Sequence, residues 1–238
     1  MLKRRFPIEI IIIVVFAALI WAYSSNPPNG RAGDPPSGMT CTQCHDSFAL
    51  NSGDGMLSID NVPDIYTPGD TYTITVTLSD PGQSRWGFEL TTIDDDNDQA
   101  GTMSVTDGTN TQLSDNSGSN PDYIKQRSAG TFAGTNDGPV SWTFDWTAPS
   151  PAVGEVTFYA SGNAANDNGS TSGDYVYTAT AVSAPLPDTP LADFSGEPTT
   201  GCAPLTVEFT DQSTGDITSW DWSFGDDESS TEQNPAHQ

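Results

Sequence analysis

Apolar and polar positions alternate with a period of two, in short runs, from about Leu57 to Val182. Tyr72, Ile74, Val76 and Leu78 interleave with Thr71, Thr73, Thr75 and Thr77, so one face of an extended strand is greasy and the other hydroxylated. Trp86, Phe88 and Leu90 alternate with Gly87, Glu89 and Thr91. Val140, Trp142, Phe144 and Trp146 alternate with Ser141, Thr143 and Asp145. Val156 and Phe158, then Tyr175 and Tyr177, continue the series. Pro68-Gly69-Asp70, Asp80-Pro81-Gly82 and Asn136-Asp137-Gly138 separate the runs as turns. No stretch after residue 24 keeps helical spacing. About seven or more half-buried strands of this kind predict an antiparallel β-sandwich.

Composition shifts divide the rest. Residues 25–40 are rich in Pro, Gly, Ser and Asn and predict a linker. Residues 41–182 hold the strand pattern, and 183–190, with three prolines, read as a second linker. A new strand pattern in 191–238 predicts a smaller β domain, carried by Ala192-Asp193-Phe194, Leu205 to Phe209 and Trp220 to Phe224. The expected fold class is therefore all-β, with two immunoglobulin-like antiparallel sandwiches after an N-terminal signal or anchor helix.

That helix is expected in residues 1–24. Lys3, Arg4 and Arg5 precede an apolar run from Ile8 to Tyr23 interrupted only by Glu9, and Ala22-Tyr23-Ser24 offers small residues at signal-peptidase spacing. The run is short for a membrane span, so cleavage after Ser24 is the favoured reading and an uncleaved anchor the alternative. Either predicts an exported protein: periplasmic, cell-surface or secreted, touching the membrane only through this segment. The formal net charge of −25 repels nucleic acid and anionic membranes, so neither is an expected partner of the folded part.

Against this background Cys41-Thr42-Gln43-Cys44-His45 stands out. Two thiols two residues apart can each add to a haem vinyl group, and the adjoining histidine then serves as proximal iron ligand. With three cysteines and two histidines in 238 residues, chance would produce the pattern in only about three such chains in ten thousand. A CxxC disulfide leaves His45 unexplained. Zinc would want four ligands, usually from a second Cys/His pair, and none is present. The expectation is one covalent haem c, with Cys41 and Cys44 as attachment points and His45 on the iron. For the far side of the iron the sulfurs of Met39, Met56 and Met103 are candidates. Met56, after the flexible Asn51 to Gly55 turn, is preferred alongside an open or water-ligated iron.

Other constellations are weaker. Asp94-Asp95-Asp96-Asn97-Asp98 resembles a calcium loop, but Gln99 stands where an EF-hand needs glycine, so Ca2+ is only a weak expectation. No histidine is spare for a Ser-His-Asp set, and the chain is not expected to be an enzyme. The tryptophans at 86, 142, 146, 220 and 222 read as core, and Cys202 as a small buried residue.

Two family resemblances join these readings. Gly201-Cys202-Ala203-Pro204-Leu205-Thr206-Val207-Glu208-Phe209-Thr210-Asp211, followed by Ser219-Trp220-Asp221-Trp222-Ser223-Phe224-Gly225-Asp226 and then Asn234-Pro235 and His237, closely resembles the PKD module. That module is an immunoglobulin-like, non-catalytic spacer or binding domain of surface proteins. Asp227 replaces its usual second glycine. The family continues into further strands, so the module is expected to be incomplete at Gln238. Residues from about 35 to 182 resemble the reelin-type (Reeler-like) sandwich of exported bacterial proteins. The resemblance rests on Cys41 to His45, Asn51-Ser52-Gly53, Tyr66 to Gly69, Ser84 to Phe88, Gln99 to Thr102, Trp142 to Trp146 and Phe158 to Asn166. Many members of that family carry a histidine at the position of Gln126. Together the readings predict a cell-surface monohaem protein for one-electron transfer or a redox-linked interaction. The alternatives are a non-catalytic adhesion or matrix-binding protein, or the front of a secreted hydrolase. The partner would be an unidentified redox protein, or a surface glycan or protein.

Overall fold

The computed structural model describes residues 24–114 and 121–238. The expected signal or anchor helix lies outside them, and among the described residues no helix is long and apolar enough to cross a membrane. The chain is all-β and separates into two units, residues 1–185 and 186–238.

In the first unit ten strands form two sheets. The four-stranded sheet runs in the order β1 (Met56–Asp60), β3 (Thr71–Ser79), β8 (Val140–Thr147) and β5 (Thr102–Val105). The six-stranded sheet runs β2 (Ile65–Tyr66), β10 (Tyr175–Pro185), β9 (Val156–Ala165), β4 (Arg85–Ile93), β7 (Tyr123–Gln126) and β6 (Thr111–Ser114). All pairings are antiparallel except β2 with β10. The threonine-alternating run becomes β3 as the pattern predicts, with Ile74, Val76 and Leu78 fully buried.

Trp86, Trp142 and Trp146 are core residues, as expected from their strand faces. Each satisfies its indole N–H on a backbone oxygen: Trp86 on Thr135, Trp142 on Gly130 and Trp146 on Ala100. Phe88 stacks on Trp142 with ring centres 4.5 Å apart, and Phe158 meets Trp146 edge-on at 4.9 Å, joining the two sheets.

The second unit has a three-stranded sheet, β11 (Phe194–Glu197), β12 (Val207–Asp211) and β15 (Ala236–His237), and a ribbon of β13 (Trp222–Ser223) and β14 (Ser229–Ser230). Phe209 is the hub of its aromatic cluster, with Trp222 at 5.7 Å, Phe224 at 5.6 Å and Phe194 at 6.1 Å. Trp220 and Trp222 are half-buried rather than enclosed. Cys202, expected in the interior, is exposed: it sits in the irregular connection between β11 and β12, where no second layer covers it.

Candidate functional site

Residues 25–40 do not behave as a bare linker. They lie across the face of the six-stranded sheet that points away from the core, and each turn of this strap is tied down. Gln112 and Gln126 donate side-chain N–H to the carbonyls of Ser25 and Ser24. Lys125 Nζ donates to Pro27 O and to Asn29 Oδ1. The Arg31 amide donates to Glu89 Oε1 at 3.1 Å, and Tyr123 Oη donates to Asp34 Oδ2 at 2.7 Å. A glutamate and a lysine on a strand face would ordinarily seek water. Here Glu89 is 0 % and Lys125 2 % exposed because the strap covers them.

At its end the strap tightens into a one-turn 3-10 helix, Cys41–Gln43, capped by Thr40, whose Oγ1 accepts from the Thr42 amide. The Cys41 amide donates to Ser161 Oγ on β9. The chain then runs beside the start of β10. His45 Nδ1 lies 2.7 Å from Asp174 Oδ2, and the Gly173 amide donates to Ser47 Oγ. Phe48 stacks on Tyr175 at 4.2 Å, and the Asn51 amide donates to Val176 O.

Between strap and sheet lies a cavity of about 540 Å³ onto which Cys41, Cys44 and His45 all open. Its floor is two cross-strand pairs, Arg85 with Ala165 and Gly87 with Asn163. Pro27 and Pro28 add apolar wall. At Gly87 a Cβ would come within 2.9 Å of Gln126 Nε2, so a larger residue would displace the end of that side chain. Any side chain would press on Gln126 and raise the floor.

Charge is distributed unevenly around this space. The chain has seven Lys and Arg; three precede residue 24, and of the remaining four, Arg31 and Arg85 line the cavity. Both have a buried Nε without a hydrogen-bond partner, and Arg85 Nη1 pairs with Asp167 Oδ1 at 2.9 Å. Asn163 Oδ1 is also buried and unpartnered. The carboxylates of Asp167 and Asp174 lie on the same lining and offset the two guanidinium groups, whose remaining N–H groups can still donate to an anionic group of a ligand. Burial pushes the Glu89 carboxyl up to about 7, against the Arg31 amide and the Lys125 charge, which pull it down. Burial also lowers the Lys125 ammonium, with Glu89 opposing. The Cys41 thiol is pushed up to about 12, first by desolvation, so it stays protonated and is a poor metal thiolate.

The residues around the cavity fit a covalently tethered haem. The donor set is two thiols and one imidazole at one opening. The walls are largely apolar, the floor is cleared by a glycine, cations are present for carboxylates, and the volume lies within the range of about 300–1,000 Å³ usual for cofactor pockets.

The structure thus brings together Cys41, Cys44 and His45, but not the expected methionine. Met56 opens β1, 66 % exposed, and its neighbour Leu57 turns into the core opposite Leu78. β1 belongs to the other sheet, so Met56 is not among the residues around the cavity. Met103 is enclosed in the core, and Met39 Sδ lies against Arg31 Nη1. Gln126, where relatives are expected to carry histidine, does border the cavity. The acidic run at 94–98 closes on itself: Asp94 Oδ1 accepts from the Asp96 and Asp98 amides. Among the described residues no group of three or more His, Cys, Asp or Glu could hold a metal ion. Asp174 and Arg31 were not singled out from the sequence, and Arg85 and Gly87 entered only as part of the Ser84 to Phe88 run that carries the family resemblance.

Residues 187–238 match the PKD domain family. No curated protein matches the chain. Among solved structures the chain is similar to the reelin-N domain of F-spondin, at 22 % identity over 61 % of this chain and 96 % of that one, with a TM-score of 0.40. It is similar to the human F-spondin reeler domain at 21 % identity, 58 % and 95 % coverage and a TM-score of 0.38. A type I cohesin from Pseudobacteroides cellulosolvens matches at 10 % identity, 56 % and 92 % coverage and a TM-score of 0.35.

Proposed function

We propose that this chain is an exported surface protein whose first sandwich carries one covalent haem under its N-terminal strap and serves in one-electron transfer or a redox-linked interaction. The observation that carries this reading is the convergence of Cys41, Cys44 and His45 on a single apolar cavity with two arginines at its edge. Cys41 and Cys44 would hold the group through thioethers, which are neutral and suit the desolvated setting of Cys41. His45 would ligate the iron, while Arg31 and Arg85 would face its carboxylates. When bound, the haem supplies a one-electron couple; the chain's residues tether it, exclude water from one side and set its charge surroundings.

The PKD match favours a second reading, a non-catalytic adhesion or matrix-binding protein at the cell surface. The family comparison supports this one more directly, since it bears on the surface module and not on the cysteine motif. One preparation tests both. Expressed in a host with c-type maturation, the intact chain is expected to gain the mass of one haem, and Cys41→Ala or Cys44→Ala to weaken its retention on denaturation. An unmodified mass from a competent host overturns the haem reading. Undiminished binding of a surface glycan or protein by a haem-free variant would then leave the adhesion reading standing.

A further inference from the structure

We infer that Asp174 is a positioning residue for His45, fixing the imidazole as the Nδ1–H tautomer and making Nε2 a stronger electron-pair donor, so that a haem held here has a lowered reduction potential. The inference rests on the haem reading above. His45 Nδ1 and Asp174 Oδ2 are 2.7 Å apart, and the carboxylate is 1 % exposed against 26 % for the imidazole. A carboxylate can only accept, so Nδ1 carries the hydrogen that is donated, and in the neutral ring that leaves the lone pair on Nε2.

Asp174 is itself held in place. Its Oδ1 accepts the Asn166 amide, and the connection between β9 and β10 is closed by Asn166 and Asn168, each donating side-chain N–H to Ser172 O. The next residues repeat the docking, Ser47 to Gly173 on one side and Phe48 to Tyr175 on the other. The imidazole is therefore oriented by a rigid carboxylate on a different part of the chain from the cysteine motif. A ligand imidazole that donates its second N–H to a carboxylate gains basicity, which favours the oxidised, more positive iron.

The test measures what a merely structural pair would not change. After mass spectrometry establishes one haem per chain, Asp174→Asn keeps the volume and an acceptor oxygen but removes the charge. It is expected to raise the midpoint potential enough to change the reduction equilibrium at least tenfold, about 59 mV for one electron. Asp174→Glu is expected to recover part of the shift. In the haem-free protein, nitrogen-15 NMR is expected to find His45 as the Nδ1–H tautomer, and Asp174→Ala to convert it to a mixture. A haem-bearing Asp174→Asn protein with the parental potential overturns the inference, and so does an unchanged tautomer in Asp174→Ala. A chain without haem instead overturns the function proposed above, while the tautomer measurement still decides whether Asp174 holds His45.

Discussion

On the four-stranded sheet of the first unit, the residues that point away from the core are hydroxyls meeting across strands at the surface. Thr71 faces Thr147 at 2.8 Å, Thr73 donates to Asp145 at 2.7 Å, and Thr77 faces Ser141 at 3.1 Å. On the six-stranded sheet the equivalent positions of β4 are Gly87, Glu89 and Thr91, and all three are buried. Both strands have the same period-two pattern, and both put their apolar residues into the shared core. The difference lies in what covers the second face. Alternation identifies the core side of a strand, but whether the other side meets water is decided by a segment distant in sequence. Where the strap lies, the outward face has become the wall of a site.

The largest effect should come from the interior common to both sheets. Trp146→Ala removes a fully buried indole that packs on Tyr66 and Phe158 and donates to Ala100 O. A cost of about 3–5 kcal/mol is expected, read as a lowered urea midpoint. Hydrogen exchange should rise in both sheets together. Loosening of only one would break the picture of a single core.

Much of this was legible in the chain itself. The runs through β3, β4, β8 and β9 are long and regular, so the core face and its tryptophans could be read from periodicity alone. The cysteine motif was legible because it is short and local. The strap was not, since a Pro- and Gly-rich segment with few apolar residues has a linker's composition, and its attachment depends on pairs such as Arg31 with Glu89, 58 positions apart. Asp174 was hidden for the same reason, being one carboxylate among 32 acidic residues and 129 positions from its imidazole. Met56 opens β1 on the other sheet, which the sequence did not foretell, because loop length says how far a chain can reach and not which sheet takes it next. Nothing local announced the cover: a glutamate between Phe88 and Leu90 is what an open, solvated strand face would ordinarily carry, and only its burial under the strap is unusual.

Next in size is the protonation of Glu89, which isolates the cover. Its carboxyl is raised from an ordinary 4.5 to about 7 by burial, so the folded protein binds that proton more tightly than the unfolded chain. The stability this contributes is fully present below about pH 4.5 and is lost as pH rises through 7. The whole change is on the order of 3 kcal/mol. Glu89→Gln keeps an oxygen to accept the Arg31 amide and cannot titrate. Relative to the parent, its urea midpoint should be similar at pH 4 and higher at pH 8. Parallel midpoints at the two pH values would mean that water reaches Glu89, and the contrast between the sheets would fail.

The smallest effects give the sharpest comparison, because one isosteric change can be made on each sheet. Thr71→Val and Thr91→Val both exchange a hydroxyl for a methyl on a β-branched side chain, leaving shape and strand preference nearly constant. Thr71 is exposed, and water can replace the hydroxyl contact it loses to Thr147. Its cost should stay within about 0.5 kcal/mol. Thr91 is fully buried and donates to Asp122 O at 2.8 Å. Removing that hydroxyl strips a partner from a half-enclosed carbonyl where water has little access, which should cost about 1–3 kcal/mol. The two substitutions lie on different strands, far enough apart in the fold to be measured separately and then combined, and the double variant should show their sum. Equal costs at the two positions would mean that the outward face of β4 at Thr91 is as wet as that of β3.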